Sequence, residues 1–478
     1  MPSLYKTPGV YIEEIPKFPP SIAPVETAIP AFIGYTEKAF DQVADDLHLK
    51  PKRISSMVEY ENYFGLPQKE EKITVTINNK EENGIVVEST PTAIVLDANR
   101  SKHIMYYALQ MFFANGGGPC YIVSVGSYKP FGSDLNKTEL EEGLKALVKE
   151  DEPTLILFPE AQSLSTIADF KALHDAALLQ CAYLKDRFVI MDVHGDSISL
   201  SNPDAVLIDA VDNFRSSGIG TNNLKYGASY APNIETVLDF DFDETKTDIT
   251  IITNGTAAAP DKLDNLRSAN NRAYEQAKAA IRDMACKMPP SSAVAGIYAA
   301  VDNSRGVWKA PANVSVNSVI KPVIPFSNEE QDQMNVDVTA GKSVNAIRSF
   351  IGKGTLVWGA RTLAGNDNEW RYVNVRRFFN FVEESCKKAT ERFVFEPNDA
   401  NTWVRVQGMI ENFLTFLWRQ GAMQGIKPEH AFYVAVGLGK TMTPLDILEG
   451  RMIVEIGMAV VRPAEFIILR FSHIMAES

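Results

Sequence analysis

Thr154-Leu155-Ile156-Leu157-Phe158, then Ile167 to Leu179, then Phe188-Val189-Ile190-Met191-Asp192-Val193: this run decides the fold. The two outer pieces are short apolar runs, the mark of strands buried on both faces. The piece between them repeats apolar residues three and four apart, as a helix packed on one side does. Moving outward, Cys120 to Val125 reads as a strand, Leu140 to Val148 as a helix and Ala205 to Arg215 as another helix. Upstream, an apolar-striped helix over Ile104 to Phe113 is stopped by Asn115-Gly116-Gly117-Gly118-Pro119. Alternating strands and helices predict an α/β layer with a largely parallel sheet.

Further out the pattern changes. Residues 72–97 alternate Val, Ile and Thr and break at Asn78-Asn79 and Asn83-Gly84, which predicts a small β meander inserted in the body. Thr236 to Thr253 reads as an Asp-rich hairpin or loop. A single long helix is expected from Asp261 to Met288, ended by Pro289-Pro290. Two more amphipathic helices follow, Val375 to Glu391 and Trp403 to Gln420. The two ends differ from the rest. Seven prolines fall in the first 30 residues, which forbids helix and makes an extended arm. Within it Val10-Tyr11-Ile12-Glu13-Glu14-Ile15 is strand-like yet has no hairpin partner, so it either edges this chain's own sheet or joins another. At the other end Met452 to Val461 alternates, Arg462-Pro463 interrupts, and Glu465 to Ile474 reads as a second strand.

With 478 residues the chain has room for about three packed units. Its 45% hydrophobic and 22% charged residues exclude wholesale disorder. The net charge of −13 repels phosphate and argues against nucleic acid or an anionic membrane as main partner. No apolar run approaches the roughly 20 residues of a spanning helix, so membrane insertion is not expected. The start carries neither a secretory nor a transit pattern, which makes cytoplasmic synthesis and assembly the expectation. Cys120, Cys181, Cys286 and Cys386 lie too far apart for a zinc site and are read as reduced, buried thiols.

No motif supports catalysis or a cofactor. Gly439-Lys440-Thr441 and Gly341-Lys342-Ser343 end like phosphate loops, but the glycine required five residues earlier is Val434 in one and Val336 in the other. Asp239, Asp241 and Asp243 begin like a calcium loop that then has Glu244 at position six and Thr250 at position twelve. The best residual enzyme candidate is Asp192-Val193-His194-Gly195-Asp196, at the C-terminal end of a predicted sheet strand where open α/β sheets hold ligands.

Several blocks taken together resemble contractile tail sheath proteins. They are Tyr5-Lys6-Thr7-Pro8-Gly9-Val10-Tyr11-Ile12-Glu13-Glu14, Thr27 to Gly34, Phe112 to Gly117, Pro289 to Tyr298 and Arg305 to Asn313. The most specific are Val357 to Leu363, Trp370 to Arg377 and Phe395-Glu396-Pro397-Asn398. They bracket nearly the whole chain, while residues 125–255 carry little of the likeness. The resemblance implies a non-enzymatic subunit of a helical polymer of stacked hexameric rings around an inner tube, with baseplate, terminal cap and other sheath proteins as partners. Contraction would drive the tube through a target envelope, from a particle that is cytoplasmic, released or part of a virion. A baseplate or other virion structural protein, or an α/β enzyme or small-molecule binder, is the alternative.

The resemblance also gives the ends a role, because the family's terminal arms add strands to the sheets of neighbouring subunits. The implied donated strands are Val10, Tyr11, Ile12, Glu13, Glu14 and Ile15 at one end, and Phe466, Ile467, Ile468, Leu469, Arg470 and Phe471 at the other. The implied acceptor is the strand with Val454, Ile456, Met458 and Val460. The expected architecture is mixed α/β: an arm over 1–25, a sheath core of 26–70 with 256–478, a β insertion over 71–100 and an outer α/β domain over 101–255. Trp370 to Arg377 and the helix Trp403 to Gln420 are candidates for touching the tube, with plain core packing as the other reading.

Overall fold

The computed structural model describes residues 21–95, 99–195, 200 and 202–470. The chain divides into two compact units, one of residues 1–24 with 385–461 and the other of 25–384 with 462–478.

The larger unit opens with β1 (Pro30–Thr36), β2 (Lys52–Ile54) and α1 (Met57–Phe64). A hairpin follows, β3 (Thr74–Glu82) with β4 (Ile85–Ile94), then α2 (Met105–Ala114), β5 (Cys120–Ser127) and α3 (Lys137–Ala146). The deciding run becomes β6 (Leu155–Leu157), α4 (Ile167–Leu184) and β7 (Phe188–Asp192). Thr166 starts α4 by accepting the Asp169 N–H, and Lys185 ends it in the left-handed conformation. Next come α5 (Leu207–Asn213), β8 (Gly227–Ala231), β9 (Ile234–Thr236), β10 (Asp248–Thr253), β11 (Thr256–Ala257) and β12 (Asp261–Lys262). The unit ends with α6 (Leu263–Ala269), α7 (Asn271–Arg282), β13 (Cys286–Met288), α8 (Ser291–Arg305), β14 (Val314–Ser315), β15 (Val319–Pro322), α9 (Asn328–Asn335), β16 (Val344–Phe350), β17 (Gly354–Trp358) and most of α10 (Val373–Thr390).

Nine strands form the main sheet in the order β14-β17-β16-β8-β7-β6-β1-β5-β2. The six from β16 to β5 run parallel, and antiparallel strands close both sides. Both faces are covered, which is why β1 is buried throughout. Ala31, Ile33 and Tyr35 join the core against α3, α4 and α5, while Phe32 joins the core against α2 and α8. Because β1, β2, β5 to β8, β14, β16 and β17 share this sheet, the expected boundary between an outer domain at 101–255 and a core does not fall between sheets.

The expected small β insertion is likewise larger. β10 inserts parallel to β3, with Ile249 opposite Val75, and brings β11 and β12 with it. Ile73, Val75 and Ile77 then pack on Leu263, Leu266, Tyr274, Ala277 and Ile281 of α6 and α7. The single helix expected over 261–288 is corrected to β12, two helices and β13. Asn270, extended at φ −150°, ends α6 and caps α7 by accepting the Ala273 N–H. Apolar periodicity continues across such a cap, so it could not reveal the break.

α8 is the most deeply buried helix among those described, with Ser291 through Ala299 all inside. It lies so close to α2 that a Cβ on Gly296 would stand 2.4 Å from the Phe112 carbonyl oxygen. Gly118 has no atom within 4 Å of the same position. Gly296→Ala should therefore lower unfolding stability by about 1–3 kcal/mol in a urea titration, with Gly118→Ala close to neutral. Equal stability of the two variants would contradict this close helix packing.

Candidate assembly interface

The smaller unit is built on α11 (Ala400–Arg419), whose first turn is capped by Asp399 accepting the Thr402 N–H at 2.9 Å. Its buried stripe of Val406, Met409, Ile410, Phe413, Leu414 and Leu417 carries a sheet of only two strands, β18 (Phe432–Val436) and β19 (Val454–Met458). These pair antiparallel from Phe432 opposite Met458 to Val436 opposite Val454. Just beyond the ladder the Ala459 N–H donates to the Ala431 carbonyl at 2.8 Å. That sets the phase, so Tyr433–Gly457 and Ala435–Glu455 exchange hydrogen bonds. The N–H and C=O groups of Val454, Ile456 and Met458 on one edge, and of Phe432, Val434 and Val436 on the other, then point away from the ladder. No other strand among the described residues pairs with either edge. A two-stranded sheet is marginal in water, and an open edge is a template for a further strand.

The sequence placed Val454, Ile456, Met458 and Val460 on a strand. The structure puts the first three at the outward positions of β19, while Val460 bridges to Met423. The partner strand β18 was missed, although Phe432-Tyr433-Val434-Ala435-Val436 between Pro428 and Gly437 carries a clear β signal. Val10 to Ile15 lie outside the described residues.

The tail after Arg462 belongs to the larger unit. It was expected to be a strand from Glu465; instead 462–470 has no strand pairing, and Phe471 onward lies outside the described residues. A strand needs a partner edge, and 462–470 pairs with none among the described residues. Glu465 fixes its root. Arg361 donates from Nε to Oε1 at 2.9 Å and from its terminal nitrogen to Oε2 at 2.7 Å, a bidentate pair. Asn335 Nδ2 donates to Oε1 at 2.7 Å and the Tyr372 hydroxyl to Oε2 at 3.1 Å. Burial pushes the Glu465 carboxyl up, but the Arg361 and Asn335 hydrogen bonds and the guanidinium charge outweigh it and hold the group below its ordinary range. Pro463 to Ile467 line one side of a groove of about 540 Å³ opposite Trp358 and Tyr372. Past this root the next four side chains stand in water: Phe466 is 70% exposed, Ile467 79%, Ile468 77% and Leu469 73%. Such a contiguous apolar run calls for a covering surface.

The other candidates resolve into scaffolding. Asp192 is buried at the end of β7 and accepts the Ser291 N–H at 2.9 Å, so it caps α8; burial pushes its carboxyl up to about 7. His194 Nε2 lies 3.1 Å from the Leu164 carbonyl, with its ring against Phe170. Lys342 is buried with its ammonium on the carbonyls of Arg215 and Ile219, where it closes the turn after α5. The Asp243 carboxylate caps its own turn through Thr245. Gly439-Lys440-Thr441 is a tight turn whose Thr441 hydroxyl donates to the Ile453 carbonyl. Trp370 to Arg377, a candidate for touching the tube, turns Arg376 and Arg377 inward. Arg377 makes a buried pair with Asp302 at 2.5 Å and lies over Tyr298; Arg376 lies over Trp370 and bonds Asn380. All four cysteines are buried and free.

An open sheet and an unsheltered apolar tail suit a subunit of an ordered assembly. Residues 236–363 match the phage tail sheath protein central domain and residues 365–473 the phage tail sheath C-terminal domain. Over 98% of both chains the fold matches the contracted sheath complex of an extracellular contractile injection system, PVC, at 30% identity and a TM-score of 0.63. It matches the contracted helical sheath of the anti-feeding prophage over 98% of this chain and 99% of that one, at 30% identity and a TM-score of 0.60. The tail sheath protein of Burkholderia phage BcepMu is 29% identical over 144 residues, 29% of this chain and 30% of the relative. That of Enterobacteria phage T4 is 25% identical over 118 residues, 24% of this chain and 17% of the relative. The chain thus spans less than a third of the length of these two curated relatives. The chain belongs to the contractile tail sheath family.

The Glu465 clamp makes a pH prediction. A carboxyl held below its ordinary value stabilises the docked tail above about pH 4.3, and that support is lost as pH falls through the lowered value. The protection of the amides of residues 464–466, relative to their intrinsic exchange at each pH, should fall over that window in the native chain. Glu465→Gln should exchange fast at neutral pH, the loss amounting to about 1.5–3 kcal/mol. Unchanged exchange in the variant would contradict the clamp.

Proposed function

We propose that this chain is the structural subunit of a contractile sheath that polymerises as stacked hexameric rings around an inner tube and contracts to drive it through a target envelope. The match to the PVC sheath complex over 98% of both chains carries this reading. Subunits are linked by strand exchange: Val10 to Ile15 and Phe466 to Phe471 are donated to neighbours, and the edge bearing Val454, Ile456 and Met458 receives one of them. The open edges of β18 and β19 and the apolar tail support this assignment.

The energetics favour it. Each backbone hydrogen bond in a donated strand contributes about 0.5–1.5 kcal/mol net. Each apolar side chain covered adds about 1.5–3 kcal/mol. A few of each exceed roughly 5 kcal/mol per arm before the ordering cost, enough to hold a subunit while its body rotates. Contraction then needs no fuel: the extended polymer is metastable, and better-fitting subunit surfaces in the contracted state supply the work. Baseplate, cap and tube proteins are its partners.

Deleting residues 1–20 should leave a folded monomer that forms no sheath by negative-stain electron microscopy. Ile467→Asp and Leu469→Asp should do the same, because each would bury an unpaired charge in the neighbour's sheet. Normal tubes from the deletion or from both substitutions would contradict strand exchange, and a limited ring from the native chain would indicate a baseplate role.

A further inference from the structure

In the smaller unit, Phe395 is fully exposed and its backbone sits at φ +70°. A bulky side chain in the left-handed region is strained, and strain of this kind persists where the surroundings impose it. They do so here. The Glu396 N–H donates to the Phe393 carbonyl and the Val394 N–H to that of Glu391. Asn398 accepts the Trp403 indole N–H at 2.7 Å and donates to the Arg451 carbonyl at 3.0 Å. Arg451 leads into β19, so the loop is tied to the strand with the open edge. A rigid loop that presents a strained, uncovered aromatic beside Val394, itself 62% exposed, is built as an anchor. Glu391 and Glu396 flank it, and neither has a basic partner among the described residues.

A pocket of opposite character lies in the larger unit between α8 and β14. It measures about 440 Å³ and is lined by Ala300, Val301, Ala312 and Val314, with Arg305 and Lys309 at its sides. Neither cation has an ion-pair partner among the described residues. On a chain of net charge −13, unpaired cations beside an apolar hollow select an acidic-rimmed apolar group. We propose that Phe395 of one subunit inserts into this pocket of a second copy, with Glu391 and Glu396 against that copy's Arg305 and Lys309. The guanidinium and the ring gain a cation–π contact, and two different patches of one chain meet head to tail. That geometry propagates a polymer where like-on-like contact would close a dimer. The inference rests on the sheath reading and adds to strand exchange a second, side-chain contact.

The test uses the full chain. Phe395→Gly removes the ring and suits φ +70°, so the monomer should melt at or above the native temperature. The subunit concentration needed to pellet polymer should rise roughly tenfold or more. Glu396→Lys should weaken assembly, and adding Arg305→Glu should restore much of it. Phe395→Cys with Ala312→Cys should give a disulfide ladder of chain multiples, since the native thiols are buried. Polymerisation of Phe395→Gly at the native concentration, or a disulfide confined to single chains, would overturn the contact while leaving the sheath reading intact. A native chain that forms no polymer would overturn both.

Discussion

Backbone N–H and C=O groups on a sheet edge must find partners, and the β18–β19 ladder leaves each of its outer edges without a partner strand among the described residues. This constraint gives the chain its character. An open edge on each side of so small a sheet is a template for further strands. The apolar tail from Phe466 to Leu469 states the same need in side chains: it has the composition of a buried strand and pairs with no strand among the described residues. The proposed strand addition would satisfy both with main-chain hydrogen bonds that tolerate sequence drift.

The larger unit has the opposite design. Its nine-stranded sheet is covered on both faces, its Arg376 and Arg377 are turned inward against Asp302, Asn380 and Trp370, and its buried acid Asp192 caps a helix. A body that moves as a block while linkers keep neighbours joined needs this contrast of a rigid interior with an open linking element. The Arg361–Glu465 pair is where the two designs meet within the larger unit. It holds the base of the tail to the body through a half-buried bidentate salt bridge, which in the proposed strand exchange would bear any pull on the tail.

Much of this was legible in the sequence. The β6–α4–β7 alternation and the glycine stop after α2 are local signals, and local signals place elements well. What failed to show was long-range. The pairing of β10 with β3 joins segments 170 residues apart, and no local pattern announces it. The 261–288 helix was overextended because apolar spacing runs through Asn270. β18 was overlooked beside its more conspicuous partner. The inward turn of Arg376 and Arg377 could not be told from an exposed basic patch, since composition is the same for both. Glu465 stood in the sequence as an ordinary acid beside Pro463; only the fold brings Arg361, Tyr372 and Asn335 to it.

The central claim is that the two-stranded sheet is completed by other copies of the chain. A cryo-electron microscopy reconstruction of the assembled polymer at side-chain resolution tests it most directly. The account predicts additional strands along the edges of β18 and β19, traced to residues 10–15 and 466–471 of neighbouring subunits. A polymer in which both edges stay bare, or in which the added strands come from the same chain, would contradict it.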